Sequence, residues 1–123
     1  MKTTMIKGKE YVMVNERIAY FRENFKDWAM TSELTIDGNK AIVKATISNS
    51  LGEIKATGYA MEVEGAGFIN KTSHIENCET SAWGRCLGNL GIGIDTSIAS
   101  AEEVGNAVKQ QGGGKKQAFE KSM

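Results

Sequence analysis

The sequence predicts an α+β fold in which a curved antiparallel meander of three main strands packs with helices. Two turn signals, at 37–38 and 49–52, separate three stretches in which apolar and polar residues alternate. A later stretch, residues 73–93, carries apolar residues at three- and four-residue steps, which is typical of one buried helical face. The length of 123 residues suits one domain with a real core.

The three main strands are predicted at 28–36, 39–48 and 53–63, and two short extra strands at 10–14 and 68–71. Taking Asp37-Gly38 as a two-residue loop pairs Ile36 with Asn39, and taking 49–52 as a four-residue turn pairs Ser48 with Glu53. Both registers put small and apolar residues on one face, and a slip of one residue in either would reverse the faces. The two turns therefore agree on a sheet with one buried and one solvated face.

Three helices are predicted, from Asn15 to about Phe25, from Ser73 to about Leu90, and from Ser100 to about Gln111. Ser73 with Glu76, and Ser100 with Glu103, form capping boxes, while Gly91 ends the long helix. In the first helix we expect Arg17 to lie off the buried face, which carries Ile18, Phe21 and Phe25.

The long helix is expected to bury one stripe of side chains, Ile75, Cys78, Ala82, Cys86 and Leu90. Its two cysteines lie eight residues apart, which is about 12 Å along a helix and too far for a disulfide. We therefore expect two free thiols in the core. A second stripe of Gly84, Gly88 and Gly91 is expected to pack closely on the small residues of the sheet.

Residues 1–111 are expected to form one domain, followed by a flexible basic tail at 112–123. The net charge of zero hides a balance of +3 in residues 1–22, −6 in 23–108 and +3 in 109–123. Basic ends favour either an anionic partner or simple solvation. The sequence has no secretory signal and no apolar run near the roughly 20 residues that span a bilayer, so we expect a soluble, cytoplasmic protein without membrane contact.

No pattern of catalytic, metal-binding or cofactor-binding residues stands out, and we expect neither enzymatic activity nor a cofactor. Single-stranded nucleic acid requires cationic groups along its backbone and aromatic planes that stack on bases. The candidates for such a DNA-binding surface are Lys40, Lys44, Lys55, Tyr59, Phe68, Lys71, Trp83 and Arg85. The alternative is that these lysines are ordinary solvated residues and that Trp83 is core packing.

Three segments carry a resemblance to a known family: NERIAYFRENF (15–25), ENCETSAWGRCLGNLGIG (76–93) and IASAEEV (98–104). The chain resembles, from about Lys7 to Gln110, the small phage recombination proteins of the lactococcal single-stranded-DNA-binding type. A similar segment occurs in Erf- and Sak-type single-strand annealing proteins. The resemblance implies a variation of the oligonucleotide-binding (OB) fold, or alternatively the strand–strand–strand–helix core of the annealing proteins.

The same resemblance implies sequence-independent binding of single-stranded DNA in phage replication and recombination, inside an infected bacterial host. It also implies assistance to the host RecA recombinase or to a phage annealing protein. The alternative is that the chain itself anneals strands as an oligomer. Exposed strand edges favour self-association, so we expect a homodimer or a higher homo-oligomer.

Overall fold

A computed structural model describes residues 1–65, 70–95 and 97–110, with only the backbone described at 70–72 and 109–110. The elements are β1 (Thr3–Ile6), β2 (Lys9–Val12), α1 (Val14–Asn24), β3 (Ala29–Asp37), β4 (Lys40–Ser48), β5 (Ile54–Val63), α2 (Asn70–Leu90) and α3 (Ala101–Gln110). The predicted tail at 112–123 and the Phe68-Ile69 part of the predicted fifth strand lie outside the described residues. Residues 70 and 71, the rest of that strand, belong to α2 instead.

The main sheet is an antiparallel meander in the order β3-β4-β5, as predicted, and β1 and β2 form a separate two-stranded sheet. The α+β class and the three main strands are therefore confirmed. In the described part of the chain these two sheets do not join into one barrel, so the OB variation stays a prediction. The order of β3, β4, β5 and α2 agrees with the strand–strand–strand–helix alternative.

The predicted register is wrong by two residues at the first hairpin. Asp37 pairs with Lys40 and Ile36 with Ala41, so the loop is Gly38-Asn39. Gly38 has φ +60°, as the first central position of a type II′ turn requires. A shift of two residues leaves every side chain on its predicted face, so the division into buried and open faces survives.

The second turn is larger than predicted because the Asn49 side chain organises it. Asn49 Oδ1 accepts hydrogen bonds from the backbone N–H groups of Leu51 (3.0 Å) and Glu53 (2.9 Å). Ser48 consequently pairs with Ile54 rather than with Glu53, and the register shifts between Ile47 and Ser48. This irregularity moves the β4–β5 pairing by two residues along the rest of the hairpin.

The core forms where α2 lies on β4 and β5. Cys78, Ala82 and Cys86 are fully buried there, which confirms the predicted stripe, whereas Ile75 is 38% exposed and is a correction to it. Burial raises the pKa of the Cys78 thiol, and it raises the pKa of the Cys86 thiol to about 11. Both cysteines are free, as expected, and both are protonated core residues at neutral pH.

The close approach of helix and sheet depends on Gly58 of β5, not on the helix glycines. A Cβ on Gly58 would lie 2.5 Å from the backbone nitrogen of Cys86 and 2.8 Å from the carbonyl oxygen of Ala82. Gly84 and Gly88 face the opposite side of α2, where a Cβ on Gly84 would lie 2.7 Å from Val14 Cγ2. The prediction that the glycine stripe packs on the sheet is therefore wrong.

Particular residues set the kink near the start of α2 and the point where it ends. Ser73, the predicted start, has non-helical angles (φ −139°, ψ 31°) and kinks a helix that begins earlier, at Asn70. At the other end the N–H of Ile92 bonds to the carbonyl of Leu87 and that of Gly91 to the carbonyl of Gly88, both at 3.0 Å. With Gly91 at φ +110°, this is a Schellman motif, and the predicted end is confirmed.

The N-terminal segment forms a complete hairpin where only one short strand was expected. Lys7 (φ +50°) and Gly8 (φ +81°) are the two central turn residues, and two positive φ values define a type I′ turn. A lysine in the left-handed region is uncommon, so residue types alone did not indicate this turn. The hairpin packs against α3.

Arg17 lies in the interior, contrary to the prediction that it lies off the buried face. Its side chain is fully buried. Nη1 donates to the carbonyls of Gly84 (2.7 Å) and Ile98 (2.8 Å), and Nη2 to those of Gly93 (3.1 Å) and Ser97 (2.9 Å). Burial lowers the pKa of Arg17, an effect that the Glu102 carboxylate opposes.

Helix α3 begins at the predicted Ser100 cap and forms a hydrogen bond with the start of α1. The N–H of Glu103 donates to Ser100 Oγ at 3.2 Å, which confirms the cap. Glu102 Oε1 accepts the N–H of Val14 at 2.9 Å, so a side chain of α3 caps the first residue of α1. The N-cap of α1 is Met13, so the prediction of Asn15 as the N-cap is wrong by two residues.

Replacing Arg17 by Lys should lower the free energy of unfolding by about 3 kcal/mol, because a single ammonium cannot reach all four carbonyls and an unsatisfied buried acceptor costs about 1–3 kcal/mol. Urea unfolding measures this. Arg22→Lys, at an exposed position of the same helix, is the control and should change stability by less than about 0.5 kcal/mol. Equal stability of Arg17→Lys and the wild type would contradict the role of the guanidinium.

Gly58→Ala should destabilise the fold by about 1–3 kcal/mol, because the new methyl group meets backbone atoms that cannot rotate away. Gly105→Ala in α3 is the control, since its Cβ would have Ile6 Cδ1 as its nearest neighbour at 4.0 Å. That change should stabilise by up to about 1 kcal/mol through helix propensity. Thermal unfolding of the two variants checks the opposite signs.

Candidate nucleic-acid interface

The site is built on the open sheet face, defined as the side of β3, β4 and β5 turned away from α2. Strand β4 sets the division, because its alternate residues are buried under α2. The intervening β4 residues, and the residues paired with them on β3 and β5, therefore lie on the open face. Among the described residues no helix covers this face.

Lys44 and Tyr59 lie side by side at the centre of the open sheet face. They are directly paired across β4 and β5, and Lys44 Nζ lies 5.7 Å from the centre of the Tyr59 ring. That distance is within the range of a cation–π interaction. Tyr59 is 54% exposed, so the ring can also present a flat surface to a ligand.

Lys40 lies on the same face, four residues before Lys44, and is exposed. Lys55 lies four residues before Tyr59 on β5, close to the irregular pairing, and its Nζ is 3.9 Å from Glu53 Oε1. Such an exposed pair is weak, so Lys55 stays available to another anion. The structure thus places Lys40, Lys44, Lys55 and Tyr59 on one face, with Lys44 and Tyr59 adjacent and Lys40 and Lys55 toward opposite ends of the β4–β5 hairpin.

A row of threonine hydroxyl groups lies next to Lys44 and Tyr59 on the open sheet face. Thr46 lies between Thr31 of β3 and Thr57 of β5 across the three strands. Threonine hydroxyls can donate hydrogen bonds to phosphate oxygens. The open sheet face therefore offers cations, an aromatic ring and neutral donors.

Trp83 and Arg85 belong to α2, on the other side of the sheet. Trp83 packs against the core cluster, and its indole N–H is buried with no hydrogen-bond partner. The structure therefore does not bring Trp83 to the open sheet face. Arg85 is exposed and forms an ion pair with Glu103 of α3.

The side chains of the two remaining candidate residues, Phe68 and Lys71, are outside the described part of the structure. Phe68 lies outside the described residues. Lys71 lies in the first turn of α2, and its side chain is outside the description.

A cleft of about 290 Å³ lies where the end of β5 meets α2 and α3. It is lined by Tyr59, Ala60, Met61, Glu62, Ser81, Arg85, Glu103, Asn106 and Ala107. Because Tyr59 belongs both to this cleft and to the open sheet face, the two surfaces are continuous around the edge of β5. Arg85 therefore lies on a path that leads to Lys44.

The edge of β5 is partly occupied at its other end. Asn89 Nδ2 donates to the carbonyl oxygen of Thr57 at 2.7 Å, which satisfies one backbone acceptor at this edge. Sequence reasoning missed Asn89 and also Glu103, whose only expected role was in the capping box. The spacing from Ser100 marked Glu103 as a cap, but no periodicity relates it to Arg85.

The described residues contain no group of three or more His, Cys, Asp or Glu side chains placed to hold a metal ion. His74 lies 4.0 Å from Glu64, and the Cys78 thiol contacts the carbonyls of Ala41 and Ala60, both at 3.3 Å. No helix in the described part of the chain is long and apolar enough to cross a membrane.

Comparison with known proteins gives one family. A family model described as Slr1353 N-terminal dsRNA-binding domain-like matches residues 18–90, more than half of the 123 residues. The chain belongs to this family. The match runs from α1 through the three-stranded sheet to the end of α2, so it includes the open sheet face and Arg85 but not the N-terminal hairpin or α3. No curated protein and no solved structure matches the chain.

Proposed function

We propose that this protein binds single-stranded nucleic acid on its open sheet face, independently of sequence and without catalysis. The observation that carries the proposal is the exposed Tyr59 ring beside the Lys44 ammonium on a face that no described helix covers. A stacked base and a neighbouring phosphate need this combination of ring and cation. Stacking is tolerant of sequence because every base has a flat face.

The membership of a dsRNA-binding domain-like family supports nucleic acid as the class of ligand. It also favours a second candidate, in which the ligand is duplex RNA recognised by its shape and backbone. The two candidates differ in the use of Tyr59, because paired bases in a duplex are not free to stack on a side chain. Comparison of single-stranded and duplex ligands therefore distinguishes them.

For the biological setting, we propose single-stranded DNA bound during phage replication and recombination, in support of a recombinase or an annealing protein. The resemblance of residues 76–93 and 98–104 to phage recombination proteins supports this setting. A form that itself anneals strands would use the same face, so an annealing assay with complementary oligonucleotides separates the two roles.

Self-association is part of the proposal. Strand β3 is an edge of the sheet, and Leu34 and Ile36 on its helix-facing side are 50% and 54% exposed because α2 lies over β4 and β5. An unpaired edge with exposed apolar residues suits pairing with a second copy of the chain. Light scattering gives the mass of the protein with and without DNA.

Replacing Lys44 and Lys55 together by Gln should weaken binding to a labelled single-stranded oligonucleotide and reduce its dependence on salt. Each phosphate contact to a single strand contributes about 0.7 to the slope of log K against log salt, so the slope should fall by about 1.4. Fluorescence anisotropy over a salt series measures both. Lys7→Gln with Lys26→Gln, exposed lysines outside the open sheet face, is the charge-matched control.

The same titration includes duplex DNA, single-stranded RNA and duplex RNA with the wild-type protein. Single strands should bind more tightly than duplexes. Equal or tighter binding of duplex RNA would contradict the single-strand proposal and support the second candidate. Undiminished affinity of the lysine variant would move the site away from the open sheet face.

Tyr59→Leu should cost about 1–3 kcal/mol of binding free energy to a single strand, because the stacking surface is lost. Tyr59→Phe keeps the ring and should bind like the wild type. Tyr20→Leu is the control, because Tyr20 is 45% exposed on α1, away from the open sheet face. A Tyr59→Leu protein that retains full affinity would exclude base stacking at this position.

A further inference from the structure

We propose that the Glu103 carboxylate occupies the position of a nucleic-acid phosphate on Arg85, and so masks this arginine until a strand displaces it. The inference rests on the proposed function and deepens it. It adds the cleft between β5, α2 and α3 to the binding path, and it gives α3 the role of an internal competitor.

The first step concerns how Glu103 is placed. Its backbone N–H is tied to Ser100 Oγ, and the neighbouring Glu102 is tied to the N–H of Val14. The first bond caps α3, and the second fixes its first turn against α1. The Glu103 side chain is therefore held beside Arg85 by anchors that do not involve Arg85.

The second step concerns what the carboxylate does. In a capping box the Glu side chain normally returns to the N–H of the capping Ser. Here one carboxylate oxygen of Glu103 pairs with Arg85, and the other, Oε1, is buried with no hydrogen-bond partner. A buried oxygen without a donor calls for an explanation, and an arrangement that serves Arg85 instead of the cap supplies one.

The third step concerns accessibility. The Arg85 side chain is 47% exposed while that of Glu103 is 19% exposed. The guanidinium can therefore turn toward solvent and leave its partner without movement of α3. Because the Arg85 side of the pair is open to solvent, a multivalent polyanion can reach the guanidinium and compete with the single carboxylate for it.

The fourth step concerns the route of the strand. Tyr59 lines the cleft and also lies beside Lys44 on the open sheet face. A backbone that passes Lys44 and bends around the edge of β5 reaches Arg85 next. Phosphodiester oxygens suit this site because guanidinium binds them in the paired geometry that it uses for carboxylate.

The test is Glu103→Gln, which keeps the backbone bond to Ser100 and remains a permitted capping-box residue. Its matched control is Glu76→Gln, an exposed residue nine positions before Arg85 on α2, which changes the net charge equally. Relative to this control, Glu103→Gln should bind a single-stranded oligonucleotide about two- to fivefold more tightly. Its salt slope should be steeper by about 0.7, the value of one additional phosphate contact.

Adding Arg85→Gln to Glu103→Gln should abolish this gain in affinity. In the wild-type background, where Glu103 already masks Arg85, Arg85→Gln should lower the affinity by less than it does in the Glu103→Gln background. If the wild type binds and depends on Lys44 and Lys55, but Glu103→Gln behaves like Glu76→Gln, the masking proposal fails and the proposed function stands. If neither the wild type nor Glu103→Gln binds the oligonucleotide, the proposed function fails and the masking proposal fails with it.

A measurement on the unmodified protein makes the test independent of how well the variant folds. In a titration followed by NMR, the Arg85 Nε–H signal and the Glu103 carboxylate carbon signal should both shift as the oligonucleotide binds. Signals that stay in place at saturation would overturn the proposal.

Discussion

One guanidinium joins the parts of this chain that lie far apart in sequence. Arg17 of α1 donates to the carbonyl oxygens of Gly84, Gly93, Ser97 and Ile98, which belong to α2 and to the connection that follows it. The bond to Gly84 is buried and the other three are partly buried, and no apolar side chain could replace them. Gly88 of α2 follows from this requirement, because a Cβ on Gly88 would lie 2.9 Å from Arg17 Nη1. Arg17 therefore leaves room for no side chain at position 88.

The connection fixed by Arg17 determines the position of α3. Ser100, fully buried at the end of this connection, caps α3, and Glu102 in the first turn of α3 caps α1 in return. The Glu103–Arg85 ion pair is the next consequence along the chain. The side of α2 that faces the sheet is organised differently, with Gly58 admitting the helix backbone to direct contact with β5. One helix thus has a polar, hydrogen-bonded side and a tightly packed apolar side.

Alternation in sequence was enough to predict the sheet and its two faces, because every second residue of β4 must be buried. It could not give the register, since Asp37-Gly38 and Gly38-Asn39 are both acceptable loops. Moving the loop by one residue shifts the strand pairing by two, which leaves the faces unchanged. The bonds of the Asn49 side chain also leave no trace in hydrophobic pattern. The same alternation predicted that Lys44 and Tyr59 share a face. Arg17 escaped prediction because its partners are backbone carbonyls 67 to 81 residues away, and backbone groups carry no sequence signal.

Charge on the open sheet face is distributed unequally: the acidic residues lie on β3, and the basic residues lie on β4 and β5. Strand β3 brings Glu33 opposite Lys44 and Asp37 opposite Lys40, whereas β4 and β5 bring the three lysines and Tyr59. Carboxylates on β3 repel a polyanion, so a bound backbone is favoured over β4 and β5 and disfavoured over β3. The edge of β5 that this path reaches is the edge where Arg85 lies. If the proposed binding and self-association hold, the acidic β3 edge suits a protein neighbour and the β5 edge suits nucleic acid, so the two proposed partners would not compete for one surface.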